Sequence, residues 1–162
     1  MLVTAASFSD FVLAIHILAV VIAFGVTFSY PIFQAAGTRL DRRSIPWFYR
    51  MQEVISKRVI NPGVLVILIA GIVLATDEHQ WKHFYVQWGI AAVIALGALD
   101  GAVMRPLTRK LVAAADSDVE RAGDGEITWS AEHEALIRRQ GRIGTLMTLI
   151  VVVTVFFMAL HL

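Results

Sequence analysis

Four runs without a single Asp, Glu, Lys or Arg divide this chain: Phe11 to Thr38, Val59 to Thr76, Phe84 to Leu99 and Ile143 to Leu162. A bilayer's hydrocarbon core is about 30 Å thick and needs roughly 20 apolar residues at about 1.5 Å of rise each. Each run meets that requirement, the third by taking in Asp100 to Met104. The expected fold is all-α: a polytopic membrane protein with a four-transmembrane-helix bundle, its helices at about 8–37, 59–76, 84–106 and 131–162. The first run is longer than a crossing requires, so it must tilt or continue as helix beyond the lipid.

Composition agrees. The chain is 57% hydrophobic and 17% charged, against about 25% charged in a soluble domain. Its 162 residues contain no Pro/Gly/Ser-rich linker, which predicts a single transmembrane domain over 1–162. With no cysteine, neither a disulfide framework nor a thiolate metal site can form. A cleaved signal peptide is not expected, because no basic segment precedes the first run and that run far exceeds a signal's apolar stretch.

Orientation follows from the basic residues. Arg39, Arg42, Arg43, Arg50, Lys57 and Arg58 lie between the first and second runs, and Arg105, Arg109, Lys110, Arg121, Arg138, Arg139 and Arg142 between the third and fourth. Only Lys82 of the 14 Lys and Arg lies on the other side. By the positive-inside rule both termini and the short loop Asp77 to His83 face away from the cytoplasm. A net charge of +1, with acids interleaved among the basic residues, gives no reason to expect nucleic acid. The lipid bilayer is the first partner, and a homo-oligomer or a larger membrane complex the second.

Both cytoplasmic connections carry amphipathic helical patterns. Trp47, Phe48, Met51, Val54, Ile55 and Val59 recur at helical spacing over about 46–58, leading into the second helix, where Pro62 is tolerated near the start. Leu107, Leu111, Val112, Ala115 and Val119 do the same over about 107–120. A turn follows at Gly123-Asp124-Gly125, and Ser130 can then cap a helix whose first turn holds Glu132 and Glu134, so that its first dozen residues lie outside the lipid. These pieces either pack against the membrane and each other or dock a partner.

Polar groups inside the runs carry the functional information, because ionisable groups are expensive in lipid. The face of His16 also contains Ser9, Ala19, Ala23, Thr27, Tyr30 and Gln34, which is too small and polar for lipid and points His16 into the bundle. Neutral imidazole is a good ligand for haem iron or copper; the alternative is a hydrogen bond to a neighbouring helix. His161, preceded on its face by Met147, Val151, Thr154 and Met158, is a second candidate, and His with His or with Met158 is what b-type haem in a four-helix bundle needs. A Met and Val stripe is equally ordinary core. His79 and His83 are spaced so that a helical turn would align them as an external zinc or copper site, unless they only belong to an interfacial belt with Trp81, Phe84, Tyr85 and Trp88. Asp100, the one carboxylate within the membrane runs once the third is extended, should pair with Arg58, Arg105 or Arg142, as a structural pair or as part of a proton relay. Gly97 and Gly101, with Gly71 and Ala75, provide small-residue spacings that let helices approach closely.

The segment Leu13-Ala14-Ile15-His16-Ile17-Leu18-Ala19-Val20-Val21, followed by Gly25, resembles the first helix of small four-helix bacterial membrane proteins near the HemJ-type protoporphyrinogen oxidases and the CopD-type copper-resistance components. Arg58 with Pro62 and Gly71 resembles the second helix of uncharacterised proteins of that group. In the HemJ type the helix-one histidine is implicated as a haem ligand, and the resemblance implies that role for His16. That type also uses a third-helix lysine, where this chain has Lys82 just before the run.

Two functional expectations follow. One is a redox membrane protein holding b-type haem, or copper, near the non-cytoplasmic side. The other is a non-catalytic subunit or scaffold of a larger membrane complex, since no Cys nucleophile, H-E-x-x-H or phosphate-binding glycine loop completes a catalytic set.

Overall fold

A computed structural model describes residues 7–160. His161, a haem-ligand candidate, lies outside the described residues. Within them the chain is all-helical and forms four rods, Phe8–Leu40, Arg42–Asp77, Phe84–Ala122 and Ala131–Leu160, each long and apolar enough to cross a membrane. The third rod has 39 residues, on the order of 60 Å, about twice a hydrocarbon core. The two amphipathic pieces are therefore continuations of membrane-length helices.

Three rods are interrupted. The first consists of α1 (Phe8–Gly25), a 3₁₀ turn over Val26–Ser29 and α2 (Tyr30–Leu40). The second begins with a 3₁₀ turn at Arg42–Ser44, then runs through α3 (Ile45–Ile55), a π-turn over Ser56–Ile60 and α4 (Asn61–Asp77). The third is α5 (Phe84–Leu99), a π-turn over Asp100–Met104 and α6 (Arg105–Ala122). The fourth, α7 (Ala131–Leu160), is unbroken. Proline explains the pattern. Each of the four, Pro31, Pro46, Pro62 and Pro106, sits within the first two positions of an α-segment that follows a 3₁₀ or π turn. A proline ring clashes with the carbonyl four residues back and offers no N–H, so the turn before it widens or tightens to relieve both.

Packing runs from α1 to α4, α4 to α5 and α5 to α7, while α3 packs on α6 and α6 on α7. α1 and α4 approach closely where Ala23 is fully buried and a Cβ at Gly63 would come 2.7 Å from the Ala23 methyl. Toward the Asp77–His83 loop, Ala75, Tyr85 and Val86 form a small core with Phe157 and Met158, and Trp88 Nε1 donates to Thr154 Oγ1 at 3.0 Å.

At the opposite, basic end, Ile45, Phe48, Tyr49, Leu111 and Ala115 make the second core. The apolar faces of α3 and α6 are thus turned on each other. The turn after α6 needs Gly123, whose φ of 52° suits glycine. It is held by Arg42, donating to the Ile127 carbonyl at 3.0 Å, and by Arg43, donating to the Gly125 carbonyl at 2.9 Å.

Candidate functional site

The three rods interrupted at mid-length are interrupted around one cavity of about 600 Å³. Thr27 and Phe28 line it from the 3₁₀ turn of the first rod and Tyr30 from the start of α2 just after it, Ser56 and Ile60 from the second rod's π-turn, and Asp100 and Met104 from the third's. The unbroken α7 supplies Gly141, Gly144, Thr145 and Thr148, a small and polar face at helical spacing.

The π-turns place the polar groups. In a π-turn the backbone N–H bonds to the carbonyl five residues back, as Arg105 does to Asp100 and Asn61 to Ser56. Arg105 therefore stacks above Asp100, and its Nε donates to Asp100 Oδ2 at 3.0 Å. Ser56 Oγ donates to the same oxygen at 2.9 Å, joining the two π-turns. The pair is shielded but not sealed: the Asp100 side chain is 15% exposed and that of Arg105 30%. Beside it, Gln140 Nε2 donates to Gln52 Oε1 at 3.3 Å and approaches Thr108 Oγ1 at 3.5 Å, knitting α3, α6 and α7. The Tyr30 hydroxyl is buried with no hydrogen-bond partner among the described residues. The remaining wall is apolar, from Phe24, Phe28, Leu96, Met147 and Val151.

The other sequence candidates are dispersed. His16 packs against α4, where a Cβ at Gly71 would meet its Cε1 at 3.4 Å, and its Nδ1 is buried without a partner among the described residues. Met158 belongs to the core near Tyr85, its methyl occupying the hollow above Gly89. Neither residue lines the cavity. The helical turn that would align His79 and His83 does not form. The helix ends at Asp77, His79 takes a φ of 55° and His83 is extended and stacked on Tyr85, because the chain must reverse within a few residues to enter α5. Among the described residues no three His, Asp or Glu side chains group to hold a metal ion. Arg58 and Arg142, offered as partners of Asp100, are exposed and make no ion pair with described residues.

Sequence reasoning overlooked Ser56, Gln52 and Gln140 as site residues and gave Tyr30 only to the polar face of His16. A signal was present for one of them: Ser56 and Asp100 each precede a proline, Pro62 and Pro106, by the same six-residue step. It also passed over His133, which is 1% exposed in the basic-end core. There the Tyr49 hydroxyl lies 3.2 Å from His133 Nε2 and the Trp129 ring stacks at 4.3 Å. Asp118, likewise buried, accepts from the Ser130 backbone N–H and hydroxyl at 2.9 Å each, while Ser130 Oγ caps α7 by accepting from the His133 N–H.

Desolvation lowers the His133 pKa, against the opposing pull of Asp118 and Glu134. This extension lies beyond the apolar runs. A histidine with a lowered folded-state pKa contributes stability that is fully present above its ordinary value of about 6.5 and is lost as pH falls through the folded value. Detergent-solubilised protein is thus expected to unfold at lower temperature as pH drops from about 7 toward 5, and His133→Gln is expected to flatten that dependence. Melting curves across the pH series check it.

Compared with known proteins, the chain matches no family model, no curated protein and no solved structure. The class is therefore defined by its own geometry: a helical protein with four membrane-length helices and a polar-headed cavity between them.

Proposed function

We propose that the chain is a multi-pass protein of a bacterial inner membrane, basic end in the cytoplasm, that binds an amphiphilic small molecule in the cavity between its four helices. One observation carries the ligand reading: non-α turns of three rods and the glycine face of the fourth converge on the same space. Irregular turns in long helices cluster at functional sites, and a few convergent polar groups in a mostly apolar hollow are the usual form of a small-molecule site. The membrane reading is supported by the exterior. Phe11, Ile17, Leu18, Val21, Ile22, Leu65, Ile69, Ile94, Leu149 and Phe156 are all exposed on the rods, a surface that water would penalise and lipid would not.

The cavity lies in the basic half, beside Asp100, rather than on the histidine side where the sequence directed attention. Filling it tests the reading. A Cβ at Gly144 meets nothing within 4 Å, so Gly144→Leu is expected to fold and to strip a co-purifying small molecule, seen by mass spectrometry of solvent extracts. An extract unchanged by the substitution counts against the site. Orientation has its own test. With no native cysteine, Glu78→Cys is expected to react with an impermeant maleimide on intact spheroplasts and Asp124→Cys only after permeabilisation; the reverse result inverts the topology.

A second reading retains b-type haem, or copper, near the neutral end with His16 as ligand, in line with the HemJ-type resemblance of the first helix. The buried, unpartnered Nδ1 of His16 favours it. Protein expressed with ample haem should then show a Soret band that His16→Ala abolishes or shifts. No Soret band and no bound copper or zinc would remove this reading.

A further inference from the structure

We propose, on the footing of the cavity-binding reading, that the cavity takes an uncharged amphiphile whose head presents carbonyl oxygens. The charges exclude the commoner alternative, an anionic headgroup. Asp100 is balanced by Arg105. Glu53 is held by Lys57 at 2.7 Å and Arg109 at 3.3 Å, neither of which lines the cavity. Among the described residues no cation facing the space is left without a carboxylate. A phosphate on the terminal nitrogens of Arg105 would lie beside the Asp100 carboxylate with no second cation of the lining to offset its charge, a repulsive and desolvated arrangement. Arg58 and Arg142, like the other described cations that make no ion pair, stand outside the lining.

Hydrogen-bonding capacity then selects an acceptor. The Tyr30 hydroxyl is buried and unpartnered, a state that costs free energy until an acceptor arrives. Gln52 receives from Gln140 through its carbonyl, which leaves its amide N–H groups available, and Arg105 uses only Nε on Asp100, which leaves its terminal nitrogens. These three groups offer donors to the space, and a carbonyl oxygen can only accept. The tail has its place along Phe24, Phe28, Leu96, Met147 and Val151. Access is lateral: extensive packing runs from α1 through α4 and α5 to α7 without closing between α7 and α1, and both of these helices line the cavity. A molecule dissolved in the membrane can enter there without crossing the basic end.

Two sources carry such a head, a quinone ring and the ester groups of a diacylglycerol. Native mass spectrometry of the full chain in detergent can separate them, using a decyl-substituted benzoquinone, dioleoylglycerol and, as anionic control, dioleoylphosphatidylglycerol. One neutral probe is expected to bind as a single copy at least about ten times more tightly than the control. Gly144→Leu should abolish that binding with helical content unchanged, and Tyr30→Phe should weaken it about fivefold to tenfold, the effect of one hydrogen bond. Gly97→Leu, which places the same bulk where a Cβ meets nothing within 4 Å and outside the cavity lining, guards against a folding artefact and should retain binding. If the anionic lipid binds as tightly as either neutral probe and is displaced by Gly144→Leu, the cavity reading stands and the carbonyl inference falls. Neutral-probe binding untouched by Tyr30→Phe also overturns the inference. If no probe is displaced by Gly144→Leu, and solvent extracts are unchanged as well, both fall.

Discussion

Gly63→Leu is expected to separate the first and second rods. Ala23 has no exposed surface, and a Cβ at position 63 would sit 2.7 Å from its methyl, 3.6 Å from its Cα and 3.8 Å from the Ala19 carbonyl oxygen. Two of these three obstacles are backbone atoms and the third is a methyl with no rotamer to escape into. The larger side chain can therefore be housed only by moving whole helices. Overpacking of this kind costs about 1–3 kcal/mol where side chains can adjust, and here the upper part of that range or beyond is expected. The control is Gly144→Ala, where the added methyl meets nothing within 4 Å and the gain in helix propensity amounts to up to about 1 kcal/mol. Thermal melts in one detergent should order the proteins Gly144→Ala, wild type, Gly63→Leu. A Gly63→Leu protein as stable as wild type would show that this crossing is not close.

Asp100→Ala is expected to have the next largest effect, by leaving Arg105 without its carboxylate in a shielded site. Breaking a fully buried ion pair costs about 3–5 kcal/mol. With side chains 15% and 30% exposed, solvent softens this to about 1–3 kcal/mol. Arg105→Ala should cost a comparable amount. The double variant should be less damaged than the sum of the two, because the second substitution removes the charge that the first stranded. Strict additivity would mean that the pair is not coupled. Ser56→Ala removes one donor to the same oxygen and should cost about 1 kcal/mol.

The rods were legible because a bilayer imposes a length and a polarity that a sequence displays directly. Charge-free runs bounded by arginine could become little else than membrane-length helices. The site was less legible, since side-chain position depends on the local pitch. Asp100 invited three arginines as partners, and only the π-turn before Pro106 selects Arg105, by bringing residues five apart into register. Tyr30 looked like one member of His16's polar face, yet a 3₁₀ turn at Val26–Ser29 separates the two stretches, and its hydroxyl belongs to a different space. The histidines attracted attention for their chemistry, which is no guide to where a cavity forms. That depends on which helices fail to touch, and here the prolines and the glycine face of α7 decide it.

Three of the four rods carry their irregular turns around the cavity, and α7 passes it as uninterrupted helix. Mechanically this is a row of compliant joints beside one stiff post. The cores at the two ends, around Tyr85 and around Tyr49, lie to either side of that row and are packed independently. Flexing at the joints can therefore widen or narrow the middle of the molecule while each end keeps its shape. A contact made at mid-depth is thereby able to alter the angle between the basic-end helices and the rest.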